Sequence, residues 1–401
     1  MNSIFKFSVL LFIIRAIMPI MTLIVPSFLL LPLCIFILYY ISLHGIKISI
    51  IHKRELRYLF LLIAILIIIA SSNNFGDIIM RIYEQMNCAF VPSLLVLYII
   101  SSNDKLQLSK SLLYCLYFVL LITTITTAVG NIIYPFASRE MATGMGDNVE
   151  LLRQYYRYNI GGFDFIYTIS LMVPIMVYVA KNHHKYRVYA LLLLVSSISA
   201  IYLSSYTTAL LISLAGLMCV FLPAVMTRHS VKKYLISILL VTFLCYESLP
   251  IILQTLSGFV DNEEIAIRLK DISDMISGTQ LDDSSDIATR QNLYEDSLSG
   301  FLENPILGIQ VMRGGHSFVL CIMCYYGLIG IIMLYLMFRY LYNVFFKPFI
   351  RCNMYGHIYI VYVLYILVLI LNPRTYLFLP MFCIPLFSYY FSDVIYKTKM
   401  A

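Results

Sequence analysis

Arginines in the polar segments of this otherwise apolar chain are its first candidates for chemistry. Alternate segments between long apolar runs carry Arg81, Arg139, Arg153, Arg157, Arg268, Arg290, Arg313 and Arg374, with Lys270 as their lysine. The planar guanidinium offers a fork of donors that suits bidentate contact with phosphates, whereas lysine is a strongly hydrated point charge. We expect at least two of Arg153, Arg157, Arg290 and Arg313 to bind a phosphorylated ligand. Alternatively, each arginine pairs with a nearby acid such as Glu140, Glu150 or Glu295.

His316 is the second candidate. It follows Arg313, Gly314 and Gly315 and opens a long apolar run. A histidine gains or loses a proton near neutral pH, so a position beside arginines suits a general base or a donor to phosphate. A structural role at a helix end is the alternative.

The composition predicts the elements that position these residues. Charged residues make up 12% of the 401 residues and hydrophobic residues 61%, which excludes an ordinary soluble protein. The continuous apolar runs lack the alternation of a membrane barrel. They predict an all-α polytopic membrane protein, one integral domain over 1–401 with about 12 spans. The spans are 7–23, 26–43, 58–75, 84–101, 111–130, 164–180, 188–204, 208–226, 234–254, 316–338, 354–371 and 375–392. The run 7–43 must turn near Pro26 and Ser27.

The net charge of +7 follows the topology. With both termini in the cytoplasm, every inner loop carries lysines or arginines, whereas the acids collect on the outer side. The positive charge therefore sets orientation, and a nucleic-acid partner has no support.

Two outer segments are long, the first at 131–163 and the second at 255–315. In the second, Ile265, Leu269, Ile272 and Ile276 form a helical stripe, with Asp261 and Glu264 spaced as a capping box and Gly278 as the stop. Tyr294, Leu298, Phe301 and Leu302 form another stripe that ends at Asn304 and Pro305. We expect this segment to form a small helical cap on the outer face of the membrane.

Metal and redox chemistry have little support in the sequence. Cys321 and Cys324 form a CxxC inside an apolar run, where packing is the better interpretation. The acids at 282, 283 and 286 are most simply a solvated linker. We expect neither a metal nor a cofactor.

Residues 288–330, reading ATRQNLYEDSLSGFLENPILGIQVMRGGHSFVLCIMCYYGLIG, resemble the core signature of the O-antigen polymerase (Wzy) and O-antigen ligase superfamily. The matching positions are Arg290, Asn304, Pro305, Gly308, His316, Ser317, Gly327 and Gly330. Residues 153–174, reading RQYYRYNIGGFDFIYTISLMVP, resemble the family's other arginine-containing outer loop.

This resemblance implies a glycosyltransferase-C-like membrane enzyme of the bacterial inner membrane. Such enzymes join oligosaccharide repeat units, linked to undecaprenyl pyrophosphate, on the periplasmic face and need no metal. A chain-length regulator protein is an additional expected partner, beside the membrane lipid itself.

We assign catalytic roles to His316, Arg290 and Arg157. Arg290 and Arg157 are expected to bind pyrophosphate, assisted by Arg153 and Arg313, because negative charge builds on the leaving group. His316 is expected to activate the acceptor hydroxyl or orient the phosphate. Tyr156 and Tyr294 are candidates to line a sugar groove, although tyrosines also populate membrane interfaces.

Two other functions stay open. An O-antigen ligase, which transfers the polymer to lipid A core, would use similar residues. A lipid-linked oligosaccharide flippase or another transporter would be expected to place its charges near the bilayer midplane.

Overall fold

The computed structural model describes residues 3–43, 90–100, 106–143, 149–222, 233, 236, 248–260, 262–278, 286–311, 313–349, 352–372 and 379–391. All regular elements within these ranges are helices. In the first half of the chain they are α1 (Ser3–Ile17), α2 (Met21–Ile24), α3 (Ser27–Leu43), α4 (Val91–Ile100), α5 (Leu106–Ile133), α6 (Ala137–Thr143), α7 (Val149–Arg157), α8 (Phe163–Asn182) and α9 (Arg187–Leu203). In the second half they are α10 (Thr207–Leu217), α11 (Leu249–Phe259), α12 (Glu263–Ser277), α13 (Asp286–Glu303), α14 (Phe318–Leu341), α15 (Tyr355–Leu371) and α16 (Ile384–Phe391). Short 3₁₀ turns (His184–Tyr186, Met218–Phe221, Lys347–Phe349) and π turns (Tyr342–Phe346, Leu379–Cys383) extend several of them.

Four helical segments are long and apolar enough to cross a membrane: Ser109–Ile133, Phe163–Asn182, His184–Leu203 and Phe318–Leu341. They coincide with the spans expected at 111–130, 164–180, 188–204 and 316–338. Shorter apolar helices overlap five further expected spans, and one of them, Leu249–Phe259, continues past residue 254 into the second long segment. The expected span 58–75, residues 84–89 and 101 of the span 84–101, and most of 234–254 lie outside the described residues, so the total of twelve stays a prediction.

The first apolar run breaks earlier than expected. The sequence predicted one span over 7–23, but α1 ends at Ile17 and the chain turns before α2 begins. Pro19 explains the break, because proline has no N–H and disfavours helix in the residue before it. The expected turn at Pro26 is also present. The Nε of Arg15 donates to the carbonyl of Val25 (2.8 Å), which satisfies one backbone group that the breaks leave free.

Helix α8 is the centre of the structure. From Phe165 to Val179 nearly every side chain is buried, and the helix packs against α9, α10 and α15. A helix that is apolar all round is typical of such a central position. Its first turns, around Tyr167, are therefore held in place by packing, and residues that contact them have a fixed position.

The first helix of the second long segment follows its expected stripe. Ile265 and Leu269 are buried and pack with Leu253 of α11. The cap differs from the expected one: Asn262 caps α12, and its side chain accepts from the N–H of Ile265 (3.2 Å). Asp261 lies outside the described residues. The helix ends at Gly278 in the left-handed conformation, as expected.

The second predicted stripe is correct in where the helix ends but not in which face is buried. Helix α13 ends at Glu303, directly before Asn304 and Pro305. Leu298 and Leu302 of the stripe are, however, 45% and 66% exposed. The face that packs on α14 instead carries the buried Ser297 and Gly300. Small residues allow this close contact: a Cβ on Gly300 would lie 2.6 Å from the sulfur of Cys324.

The turn after α13 fills a break in α14. Gly327 has non-helical backbone angles (φ 58°, ψ −138°) inside α14, and the N–H of Leu328 donates to the carbonyl of Pro305 (2.8 Å). The N–H of Ile309 donates to the carbonyl of Cys324 (3.0 Å). A Cβ on Gly308 would overlap the carbonyl of Tyr325, and one on Gly327 would lie 2.5 Å from that of Pro305. Both positions therefore require glycine.

We expect Gly308→Ala to destabilise the protein by more than about 3 kcal/mol, because it combines left-handed strain with a backbone overlap. Gly278→Ala is the matched control: Gly278 has nearly the same φ (71° against 72°), but a Cβ there meets nothing within 4 Å. It should cost only about 1 kcal/mol. The measurement is the fraction of monodisperse detergent-purified protein after heating. Equal losses in the two variants would show that the turn does not bind α14 closely.

Candidate functional site

Arg290 lies on α13 in a half-buried position between two tyrosines. Its positive charge acts on the hydroxyls of Tyr294, one turn along α13, and of Tyr167, in the first turns of α8. Within the described part of the chain, no carboxylate pairs with it. The guanidinium of Arg290, beside the central helix, can therefore bind an anion from outside the described chain.

Tyr294 connects α13 to the end of α15. Its hydroxyl donates to the carbonyl of Leu371 (3.3 Å). Burial raises the pKa of Tyr294 above its ordinary value, and the charge of Arg290 opposes that shift. The tyrosine therefore remains a neutral donor at physiological pH.

Asn372, which follows α15, joins three helices. Its side-chain oxygen accepts from the hydroxyl of Tyr167 (3.2 Å), and its backbone carbonyl accepts from the N–H of Phe318 at the start of α14 (2.8 Å). Its amide nitrogen donates to the carbonyl of Val368 (3.1 Å). The beginnings of α8 and α14 and the end of α15 thus meet at one buried residue.

His316 lies at this junction in a strained conformation. Its φ is 59°, in the left-handed region, which costs a non-glycine residue about 1 kcal/mol or more. The next residue, Ser317, caps α14 by accepting from the N–H of Leu320 (3.2 Å). On the other side, the buried hydroxyl of Ser297 donates to the carbonyl of Arg313 (3.1 Å). The segment that carries His316 is therefore held between α13 and α14.

The other arginines singled out in the sequence pair with acids. Arg313 donates to Glu303 (2.6 Å). Arg153 and Arg157 lie 3.8 and 3.9 Å from Glu150, and all three side chains are more than half exposed. These three arginines thus have acid partners, as in the alternative interpretation, and their binding of a phosphorylated ligand stays a prediction.

The two groups of expected site residues occupy different places. Arg153, Tyr156 and Arg157 are on α7, which packs against α2 and α6. Tyr156 is half-buried, and its carbonyl accepts from the N–H of Asn159 (3.0 Å). Arg290, Tyr294, Arg313 and His316 are grouped around α13 and the start of α14.

An ion-pair cluster nevertheless links the two long segments. Glu264 of α12 pairs with Arg139 of α6 and with Arg268 one turn along α12 (3.4 Å). The side chain of Arg268 is only 12% exposed, and its Nη1 lies 3.5 Å from the carbonyl of Ser205. Its charge, like that of Arg290, acts on the hydroxyl of Tyr167.

Sequence reasoning missed Arg268, Tyr167 and Asn372 as members of this site. Arg268 had a visible signal, since it lies four residues after Glu264 on one helix. Asn372 had a weaker one, because it ends an apolar run just before Pro373. Tyr167 had none that distinguished it from the other tyrosines near span ends.

The arrangement suits binding of a large anion. The charges of two arginines from different helices, Arg290 and Arg268, act on one buried tyrosine hydroxyl, and Arg268 is also paired with Glu264. Guanidinium groups of low exposure bind phosphate oxygens strongly, because little water competes for their donors. Among the described residues, no three histidine, cysteine, aspartate or glutamate side chains gather as metal ligands would.

Comparisons with protein-family models, with curated proteins and with solved structures found no match. The functional interpretation therefore depends on the residues themselves and on the resemblance described above.

We expect Glu264→Gln to destabilise the protein by about 1 to 3 kcal/mol, because it removes the anion that holds two partly buried arginines together. Glu263→Gln is the control: Glu263 is the exposed neighbour, and it has no partner within the described chain. It should change stability by less than about 0.5 kcal/mol. Thermal denaturation of the two purified variants checks this, and equal stabilities would show that the cluster does not hold the two segments.

Proposed function

We propose that this protein is a metal-independent glycosyltransferase: an O-antigen polymerase that joins undecaprenyl-pyrophosphate-linked repeat units on the periplasmic face of the bacterial inner membrane. The observation that carries the proposal is Arg290. It is a half-buried cation that no described carboxylate neutralises, and its charge acts on Tyr294 and on Tyr167 in the first turns of the central helix. A half-buried charge without a carboxylate partner favours a site that an anionic ligand completes.

Pyrophosphate suits this site in charge. Breaking the bond between a sugar and pyrophosphate builds negative charge on the leaving group, and preorganised arginines stabilise such charge. Arg268 of α12 is the second guanidinium of the proposal; it is only 12% exposed and pairs with Glu264, so the anion would share it with that carboxylate. In the proposal, Arg290 and Arg268 bind the pyrophosphate of the donor, and Tyr294 stays uncharged beside Arg290.

His316 is assigned to the acceptor hydroxyl. The strained backbone at this residue is typical of functional positions, where the surrounding structure maintains a conformation that is locally unfavourable. The hydroxyl of Ser317 next to it offers a further donor to an anionic oxygen. Proton removal by His316 would activate the acceptor as the donor bond breaks.

The second arginine group suits the second substrate. A polymerase holds two lipid-linked oligosaccharides at once, and both carry pyrophosphate. Arg157 and Arg153, with Tyr156 between them, lie exposed on α7 and pair only loosely with Glu150. In the proposal they bind the carrier of the incoming unit, while Arg313 at the edge of the first group assists Arg290. A chain-length regulator is the proposed protein partner.

Substitution of Arg290 tests the pyrophosphate site. In cells that lack the native gene, Arg290→Ala should reduce polymer by about a hundredfold or more, the effect of losing one strong donor to transition-state charge. Arg290→Lys keeps the charge but loses the fork, so it should restore little. Lys270→Gln removes an exposed cation from the neighbouring α12 and should leave polymer unchanged. Normal polymer in both Arg290 variants, expressed at wild-type levels, would exclude this role.

His316 needs variants that separate its chemistry from its backbone. Glycine accepts the left-handed conformation, so His316→Gly should fold at least as stably as His316→Ala. Both should lose polymerisation if the imidazole is the base. A fully active His316→Gly protein would show that the position serves only the backbone.

Deletion of the gene distinguishes the three functions. A polymerase mutant leaves single repeat units on the final acceptor. A ligase mutant accumulates long polymer on the carrier, and a flippase mutant presents no units on the outer side. We expect the first pattern in an analysis of surface polysaccharide and lipid-linked intermediates.

A further inference from the structure

An apolar crevice lies at the far end of α8 from the arginine site. Its walls come from α5, α8, α9 and α16, and its lining includes Tyr117, Met176, Ala190, Leu193 and Phe387. The cavity volume is about 90 Å³, roughly the space of three water molecules in the liquid, but almost no polar atom lines it. Such a crevice suits hydrocarbon better than water.

The crevice opens to the surroundings of membrane-spanning helices. Three of its walls belong to Ser109–Ile133, Phe163–Asn182 and His184–Leu203, all long and apolar enough to cross a bilayer. The lining residues Phe118 and Tyr189 are 52% and 49% exposed, so the crevice opens on the lateral surface of the helix bundle. Lipid chains are the medium that meets such a surface.

Basic side chains stand at one end of the crevice. Lys110 lies on α5, three to eight residues before the lining residues 113–118. At the rise of an α-helix this is about 5 to 12 Å along the helix axis. Lys185 precedes the lining residue Tyr186 directly, and its Nζ lies 5.8 Å from the centre of that ring. Both lysines are exposed, and the described stretches 106–114 and 181–190 contain no acid. The sequence places this end at the cytoplasmic surface of the membrane.

We propose that this crevice is a binding site for an anionic glycerophospholipid, with one acyl chain between α5 and α9 and its phosphate beside Lys110 and Lys185. The order of the features along the helices matches such a lipid, in which a charged head group precedes an apolar chain. A neutral lipid would fit the walls but would leave the two lysines without a role. The site lies around Met176, more than two helical turns from Tyr167, so it does not depend on the proposed glycosyl transfer.

Native mass spectrometry of the full chain, titrated in detergent with phosphatidylglycerol or phosphatidylcholine, tests the site. We expect the first lipid to bind more tightly. Lys110→Gln combined with Lys185→Gln should weaken phosphatidylglycerol binding by about thirtyfold, the effect of two basic residues at an anionic head group. Binding of phosphatidylcholine should change little.

Two further proteins complete the design. Lys6→Gln with Lys347→Gln removes the same net charge elsewhere and should retain lipid selectivity. Ala190→Phe fills the crevice and should weaken binding of both lipids, provided that the protein elutes as a monodisperse species. The proposal is wrong if the wild-type chain does not prefer phosphatidylglycerol, or if the Lys110 and Lys185 pair loses no more affinity than the control pair.

Discussion

The break in α14 at Gly327 is the constraint on which the arrangement of the site depends. Backbone groups freed by a broken apolar helix must find partners inside the protein, because lipid offers none. Here the turn after α13 supplies them, through Pro305 and Ile309. This docking fixes α13 alongside the first half of α14. Arg290 and Tyr294 of α13 therefore lie beside the residues that begin α14. The segment between the two helices ends at the same junction and places His316 there.

The charges are arranged around this frame in two ways. Most of the described arginines in the long segments have carboxylate partners, and one such cluster, Arg139 with Glu264 and Arg268, ties the two segments together. Arg290 differs, because its described neighbours are tyrosines. An anion that enters beside the first turns of α8 therefore meets one guanidinium, Arg290, without a described carboxylate partner, and a second, Arg268, that shares Glu264 with Arg139. The resemblance to O-antigen polymerases supplies a substrate for which such a site is suited.

Local patterns in the sequence predicted much of the fold. The apolar runs at 164–180 and 316–338 indicated two of the long helices, and Gly278 and Asn304 indicated where α12 and α13 end. The glycines at 308 and 327 were noticed through the family resemblance, and the structure gives a physical reason for them: two backbones touch there. Long-range contacts could not be predicted in this way. No local spacing reveals that Tyr167 meets Asn372, or that Glu264 meets Arg139, since these partners are separated by 205 and 125 positions. Which arginine lacks an acid depends on the same distant contacts.

Release of undecaprenyl pyrophosphate by the purified protein is the most direct measurement of the central claim, that Arg290 serves metal-independent glycosyl transfer. The protein would be reconstituted in proteoliposomes with the lipid-linked repeat unit as sole substrate and a chelator of divalent cations present. The account predicts that the carrier is released as glycosidic linkages form, and that Arg290→Ala slows this release by about a hundredfold. Release that requires a divalent metal, or that proceeds at the same rate in Arg290→Ala, would contradict it.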